Sequence, residues 1–570
     1  MEVLAASGNP LTTAAAIRIL CKGGNAIDAG VAAGLAAAVV EPMASYSLAS
    51  EVAALIYDAK KRVVVALNGQ GPAPKKATVD YFRNLGKSLI PVGPGHEAPL
   101  AFTVPGAVAA WILALDRYGT LSLGEVLEPA IDYADRGFPI YSDMTKKLEL
   151  KGVRRQITEF FPQGAKYFFP GGHVPQPGER FVQKDLANVL KTLVEAEASV
   201  RPRGRSSALH AAADEFYKGK IAEAIVRFSD EVGGLLSFED FTEYQSKTES
   251  PVKTIYKDIE VFGHQTWSQS ATLLQALNIL DAFDLRKIGH NTPLYIHLIA
   301  ETLKLVMADR EKYYGDPEFV RVPLDELLSK EYAAERRKLI NLDKAHPGMP
   351  PFGDPIAVKA VGGMLDVAPN ETLSGIDDSG TTHLSIVDRE GNIFVATPSG
   401  GKLDSGVVVP GFGFALSHRS EIFSLDKSHA NALAPGKRPR TTLVCYLACK
   451  RGEPWMTFGT PGGDDQTQAD LQFFLNVVEF GMNPQEAVAA PRFSSNSFPG
   501  SFYPHGYFPG KLNLEAGFAA HVSDELILKG HQVTRVDHVG QGAIVMLLDR
   551  ESGVRSAGTD PRRPTCAFAW

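Results

Sequence analysis

A chain of 570 residues with a formal charge of −7 can hold several domains or one large α/β core, and its acidic excess argues against a general nucleic-acid surface. Its four cysteines, Cys21, Cys445, Cys449 and Cys566, follow no paired spacing, which speaks against a disulfide framework or a cysteine-based zinc site. The longest apolar run, Gly30 to Val40, is too short to span a bilayer, and the first residues lack a basic-then-apolar leader, so a soluble, cytoplasmic protein without a membrane partner is expected.

In chain order, residues 10–22 read as a helix ending at Gly23-Gly24, and Asn25 opens a second, Ala26 to Val40, made almost entirely of Ala, Gly and Val. Glu41-Pro42 stops it. Val52–Tyr57 and Val63–Leu67 read as short strands, Thr103 to Trp111 turns into an apolar helix, and Leu123–Arg136 is a helix closed by Gly137. Residues 153–214 are more polar, and the basic patch Arg201-Pro202-Arg203-Gly204-Arg205 reads as a solvated loop. Helices over Glu215–Ser229, Ala271–Ala282 and Pro293–Tyr314 follow, the last with Thr292 as N-cap and Gly315 as its stop.

Residues 347–380 are about one-third Gly or Pro, against a usual ~12 %. Directly after this loose segment, Thr381 heads an alternating run. Leu384 and Ile386 point to one face, and His383, Ser385 and Val387 to the other. Arg389-Glu390-Gly391-Asn392 makes the turn, and Ile393–Thr397 returns. A hydroxyl residue opening a buried strand after a cleavable loop suits a chain that cuts itself; the same local pattern also describes an ordinary edge hairpin. Strands over Thr441–Ala448 and Trp455–Phe458 lead to Gly459-Thr460-Pro461-Gly462-Gly463, the helix Gln466–Phe480 and a closing hairpin, Ala543–Asp549 with Val554–Ala557. The pattern is one continuous α/β body.

No Gly-x-Ser-x-Gly elbow, phosphate-binding loop, dinucleotide fingerprint or His-Glu-x-x-His occurs, so no cofactor or metal is expected. What is left is a hydroxyl nucleophile with oxyanion support from backbone amides. Gly462-Gly463, between a strand and a helix, suits the second role as well as it suits a plain turn.

Together the landmarks resemble the γ-glutamyltransferase family of N-terminal-nucleophile hydrolases. They run from Gly23-Gly24-Asn25-Ala26-Ile27-Asp28-Ala29 through Val104-Pro105-Gly106, Phe216-Tyr217-Lys218-Gly219 and Leu273-Leu274-Gln275-Ala276-Leu277-Asn278. Later come Thr381-Thr382-His383-Leu384-Ser385-Ile386-Val387-Asp388, Pro435-Gly436-Lys437-Arg438-Pro439, Pro461-Gly462-Gly463 and Asp560-Pro561-Arg562-Arg563-Pro564. The resemblance implies a four-layer αββα sandwich and one proenzyme cut between Gly380 and Thr381 into a large subunit, 1–380, and a small subunit, 381–570. The two stay together as a heterodimer; further dimerisation is left open. It also implies a small-molecule amide substrate, Thr381 as nucleophile, Ser399 as the hydroxyl bonded to its amine, Gly462 and Gly463 at the oxyanion, and Thr441 and Thr442 at the substrate carboxylate.

The departures from the family pattern cluster on one task. The arginine that grips the γ-glutamyl carboxylate falls on Gln70, the asparagine after the supporting hydroxyl on Gly401, and a partner for the substrate ammonium on Arg419. The glycine-rich loop after Glu41-Pro42 becomes Ser45-Tyr46-Ser47-Leu48-Ala49-Ser50, and an active-site stretch becomes Gln265-Thr266-Trp267-Ser268-Gln269-Ser270. The cutting machinery is kept while the amino-acid clamp is rewritten. The expectation is an amide hydrolase or acyltransferase acting on an acyl group other than γ-glutamyl. The alternatives are true γ-glutamyl hydrolysis or transfer with a rearranged clamp, and an uncleaved scaffold.

Overall fold

A computed structural model describes residues 2–371, 380–403, 406–549 and 551–570. Two antiparallel sheets stack face to face. The first runs in the order Cys566–Ala569, Leu4–Ser7, Leu384–Val387, Ile393–Ser399, Glu51–Asp58, Val63–Gly69, Lys247–Glu249. The second runs Arg555–Thr559, Ile544–Leu548, Glu453–Gly459, Tyr446–Lys450, Ile259–Gly263, Val252–Tyr256.

Period-two alternation sorts the side chains into layers. Leu384, Ile386, Phe394 and Ala396 face the helices outside the first sheet, whereas Val387, Ile393 and Val395 meet Cys445, Leu447, Ile544 and Met546 between the sheets. The far face of the second sheet packs on the helices Ala271–Leu280, Pro293–Tyr313 and Asp465–Val478. This is the expected αββα sandwich. The Thr381 hairpin is central in its sheet and buried on both faces, so the edge-hairpin alternative does not describe it.

The small-residue helix explains how closely the outer layer seats. Ala26–Val40 is wholly buried and begins with a capping box in which Asn25 accepts from the Ile27 and Asp28 amides. A Cβ on Gly30 would strike the Phe394 ring, and one on Gly34 would come within 2.6 Å of Trp111, so glycine lets the helix axis approach the sheet.

Some boundaries differ from expectation. The strand after Thr381 begins at Leu384, because residues 381–383 leave the ladder to form the site described below. The helix expected over Glu215–Ser229 is two helices, Arg205–Tyr217 and Lys220–Glu231, broken at Lys218-Gly219. Much of the polar stretch 153–214 is helical; within the basic patch Arg201 and Arg203 are exposed, while Arg205 donates to the Leu115 carbonyl at 2.8 Å. The loose segment contains a small ladder, Phe352–Asp354 with Lys359–Gly363, and its residues 372–379 lie outside the described residues. Cys445 and Cys449 are buried free thiols, but Cys21 is exposed. Among the described residues no helix is long and apolar enough to cross a membrane.

Candidate active site

The site lies where the first sheet's central strands meet the turn that follows Glu453–Gly459. Thr381 is buried and its backbone takes a φ of 115°. Its hydroxyl donates to Ser399 Oγ at 3.0 Å, and Ser399 in turn reaches the Ser45 carbonyl at 3.4 Å. Sequence reasoning placed Ser399 at the nitrogen of Thr381. In this chain that nitrogen is a peptide N–H, which donates to the Ala44 carbonyl, and Ser399 meets the hydroxyl instead. Ser45 organises the surroundings. Its carbonyl also accepts from the Gly400 and Gly401 amides at 2.6 and 2.9 Å, and its side chain fills the space a Cβ on Gly380 would need.

Arg563 and Glu41 stand beside Thr381 and Thr382 respectively. Arg563 Nη1 donates to the Thr381 carbonyl at 3.0 Å. Buried Glu41 has its carboxyl pushed up by desolvation, against the opposing pull of a 2.6 Å bond from Thr12 and of Arg563. His383, two residues from Thr381, is no base for it. Burial drives its pKa down to about 3, and its Nδ1 sits 2.8 Å from Thr397 Oγ1 between the sheets.

Gly462 and Gly463 both hold positive φ, 130° and 57°, which favours glycine. Among the described residues neither N–H donates a hydrogen bond to the protein, so both can serve an oxyanion. The turn is braced by a buried network that sequence reasoning missed. Gln269 Nε2 donates to the Thr442 and Gly463 carbonyls at 3.1 and 3.2 Å, while its Oε1 accepts from Arg310 at 2.7 Å. Arg310 also pairs with Asp464 at 2.5 Å, and Asp464 receives the Ser501 amide and hydroxyl at 2.6 and 2.7 Å. Its only sequence signal was Gln269, inside a stretch that departs from the family pattern.

Of the expected substrate residues, Thr441 and Thr442 come to this side, Thr441 bridging to Ser268. Thr442 Oγ1 is buried and, among the described residues, has no hydrogen-bond partner. The buried Arg419 guanidinium and Lys402 ammonium lie over the Phe502 ring at 5.3 and 4.7 Å, and that ring is 2.9 Å from where a Cβ on Gly463 would be. Gln70 is buried, its Nε2 donating at 3.0 Å to the carbonyl of its neighbour Gly71. Gly401 is glycine for a steric reason. A Cβ there would come within 2.7 Å of Ser47 Oγ and 3.0 Å of Ser50 Oγ, so the serine-rich loop and the lost asparagine are one coupled change.

Glu51 was also missed, although an acid heading the apolar run Val-Ala-Ala-Leu-Ile-Tyr was its signal. It is fully buried and faces Ser399 across the ladder. Burial pushes its carboxyl up to about 7, against the opposing pull of Arg419 and of the Ser417 and Thr103 hydroxyls. A cleft of about 510 Å³ is lined in part by Ile422, Arg440, Gly500 and His505, near chain neighbours of Arg419, Thr441 and Phe502, while Thr381, Ser399 and Glu51 do not line it.

One set of described side chains is spaced for a metal, His297, Glu301 and His531, with ligand atoms within 4.8 Å of one another. Those atoms are already paired: His297 Nδ1 meets His531 Nε2 at 2.8 Å, and Glu301 takes the Lys304 ammonium at 2.7 Å.

The family model for gamma-glutamyltranspeptidase matches residues 12–570. The chain is 33% identical over 557 residues to the glutathione hydrolase-like YwrD proenzyme of Bacillus subtilis (strain 168), covering 97% of this chain and 95% of that one. Among solved structures it is similar to LmbA2991HD, with a TM-score of 0.92 and 37% identity over 100% of this chain and 98% of that one. It is also similar to the cephalosporin acylase from Bacillus halodurans, with a TM-score of 0.84 and 30% identity over 100% and 96%. On this match of sequence and of stacked-sheet fold, the chain belongs to the gamma-glutamyltranspeptidase family and is an enzyme of the N-terminal-nucleophile hydrolase type.

Proposed function

We propose that this protein cuts its own chain between Gly380 and Thr381 and then uses Thr381 to hydrolyse an amide whose acyl group is an acid other than γ-glutamyl. The contact that carries the reading is the 3.0 Å bond from the Thr381 hydroxyl to Ser399. In the first reaction Thr381 Oγ1 adds to the Gly380 carbonyl carbon and the C–N bond breaks, leaving an ester on the hydroxyl and a free α-amine. Water hydrolyses the ester to a Gly380 carboxylate and restores the hydroxyl, giving chains 1–380 and 381–570. The amine, with an unperturbed pKa of roughly 7.7–8.0, then serves the hydroxyl as its base. A substrate amide acylates Oγ1 while the Gly462 and Gly463 amides face the oxyanion, and water or an amine takes the acyl group away.

Three things support an acidic acyl group. Arg419 and Lys402 stand over Phe502 beside the oxyanion turn; a similar structure bears an acylase name; and Gln70, which offers no cation, turns the choice of acid away from γ-glutamyl. Hydrolysis of γ-glutamyl compounds with a rearranged clamp is the second reading, favoured by the Glu51 carboxylate, which could meet an ammonium.

A denaturing gel with N-terminal sequencing tests the first step. The expected fragments hold 380 and 190 of the 570 residues, the smaller starting at Thr381, and Thr381→Ala stays whole. Wild-type protein that stays whole on incubation overturns the proposal and favours the scaffold. On cut protein, glutaryl p-nitroanilide should react about tenfold or more faster than the γ-glutamyl anilide, since the two share the carboxylate and only γ-glutamyl brings an ammonium beside Arg419 and Lys402, where an unpaired charge loses about 1.5–3 kcal/mol of charge-assisted bonding. The opposite order favours the second reading.

A further inference from the structure

We propose that Glu51 is a specificity-determining residue that competes with the substrate's carboxylate for Arg419, so that an acidic acyl group enters the site together with a proton. The inference rests on the acidic-acyl reading above.

Glu51 and Ser399 are directly opposite in an antiparallel ladder, so their side chains share one face of the sheet, the face on which Ser399 takes the Thr381 hydroxyl. The two Glu51 oxygens are treated differently. Oε1 is held by Thr103 Oγ1 at 2.9 Å and by the Ser417 hydroxyl. Among the described residues Oε2 accepts no hydrogen bond, and it lies 3.7 Å from Arg419 Nε. A Cβ on Gly400 would collide with Oε2, so the open oxygen sits against the residue that follows Ser399. From there Arg419 leads to Phe502, and Phe502 to Gly463, closing a path from the nucleophile to the oxyanion turn.

An acyl carboxylate that grips Arg419 therefore arrives beside Glu51. Two carboxylates on one guanidinium in a buried site cannot both stay ionised, and the pair keeps one proton between them. Among the described residues Arg419 is the cation paired with Glu51. The phenols of Tyr46, Tyr217 and Tyr244 also feel its charge, and burial raises their ionisation further above the neutral range, so they remain uncharged. Glu51 is neutral below about 7 and ionised above it, which places the competition in the neutral range. Acidic acyl groups should thus lose affinity as pH rises past that point, while uncharged ones should not.

Calorimetric titration of glutarate into the cut enzyme, in buffers of different ionisation enthalpy at pH 8, counts the proton directly. The expected result is uptake of about one proton per glutarate and an affinity that falls about tenfold per pH unit above 7. Glu51→Gln should show neither the uptake nor the slope, and its cutting after Gly380 reports that it has folded. In turnover, the ratio of glutaryl to pentanoyl anilide should fall with pH in wild type and lie flat in the variant. Glutarate binding without proton uptake, or an unchanged slope in Glu51→Gln, overturns the proposal, and the wild-type proton count stands even if the variant fails to fold. If glutarate gives no binding heat at any pH, the acidic-acyl reading falls and takes this one with it, an outcome distinct from binding without a proton.

Discussion

Thr381 holds a backbone torsion that a β-branched residue adopts only at a cost of about 1–3 kcal/mol. The torsion is defined by the peptide bond on its amino side, so cutting that bond releases it. Across the bond, a Cβ on Gly380 would run into the Ser45 side chain. Gly380→Ala should therefore slow self-cutting by about tenfold or more, the equivalent of some 1.4 kcal/mol in the barrier. Adding Ser45→Gly should restore the rate, because it empties the contested space and suits the positive φ of 53° at position 45. Timed denaturing gels measure both. Once the bond is cut, residue 380 is no longer bonded to the nucleophile, so anilide turnover by the cut variant should match wild type. A Gly380→Ala chain that cuts at the wild-type rate would show that this packing does not govern the step.

At this scale, the family resemblance singled out Thr381, Ser399 and the glycine pair, and the structure sets the Thr381 hydroxyl on Ser399. The resemblance assigned no role to Glu51 or Arg563. Their roles depend on what the fold sets opposite them: Glu51 across a ladder from Ser399, and Arg563 at a carbonyl 182 positions away. The loss of the asparagine at Gly401 was visible in sequence, but the two serine hydroxyls that crowd it come from the loop after Glu41-Pro42 and meet it only in the fold.

Among the elements, the turn before the helix Asp465–Val478 deserves a test because its shape is imposed from outside. Its glycines allow the conformation, and Asp464, held by Arg310 and Ser501, selects it. Asp464→Asn keeps the shape of the side chain and weakens the charge-assisted bonds, each of which contributes about 1.5–3 kcal/mol. The expected result is a fall in kcat of about ten- to a hundredfold with little change in KM, since an oxyanion forms only on the way to the transition state. A rise in KM at constant kcat would place the network at ground-state binding instead. Elements with clear periodicity and caps were legible in sequence: the helix Pro293–Tyr313 starts where Thr292 accepts from the Tyr295 amide. The break at Lys218-Gly219 was not, since the apolar pattern on either side is that of one helix.

On the scale of the whole molecule, both sheets draw strands from before and after position 380. In the first, Leu384–Val387 lies between Leu4–Ser7 and Ile393–Ser399, and Cys566–Ala569 covers Leu4–Ser7 on its other side. Residues at opposite ends of the described chain therefore meet: the Glu2 and Val3 amides both reach the Trp570 carbonyl, at 2.6 and 3.2 Å. This proximity permits a circular permutation. A gene opening at Thr381, running to Trp570, crossing a short Gly/Ser linker to Glu2 and stopping at Gly380 would encode the same sandwich with its nucleophile first, once the initiator methionine is removed. Such a permutant should hydrolyse amides without ever cutting itself, and Thr381→Ala in it should abolish turnover while leaving its circular dichroism unchanged. On the proposed mechanism, it would turn a protein that has to break a bond before it works into one that is translated ready to act.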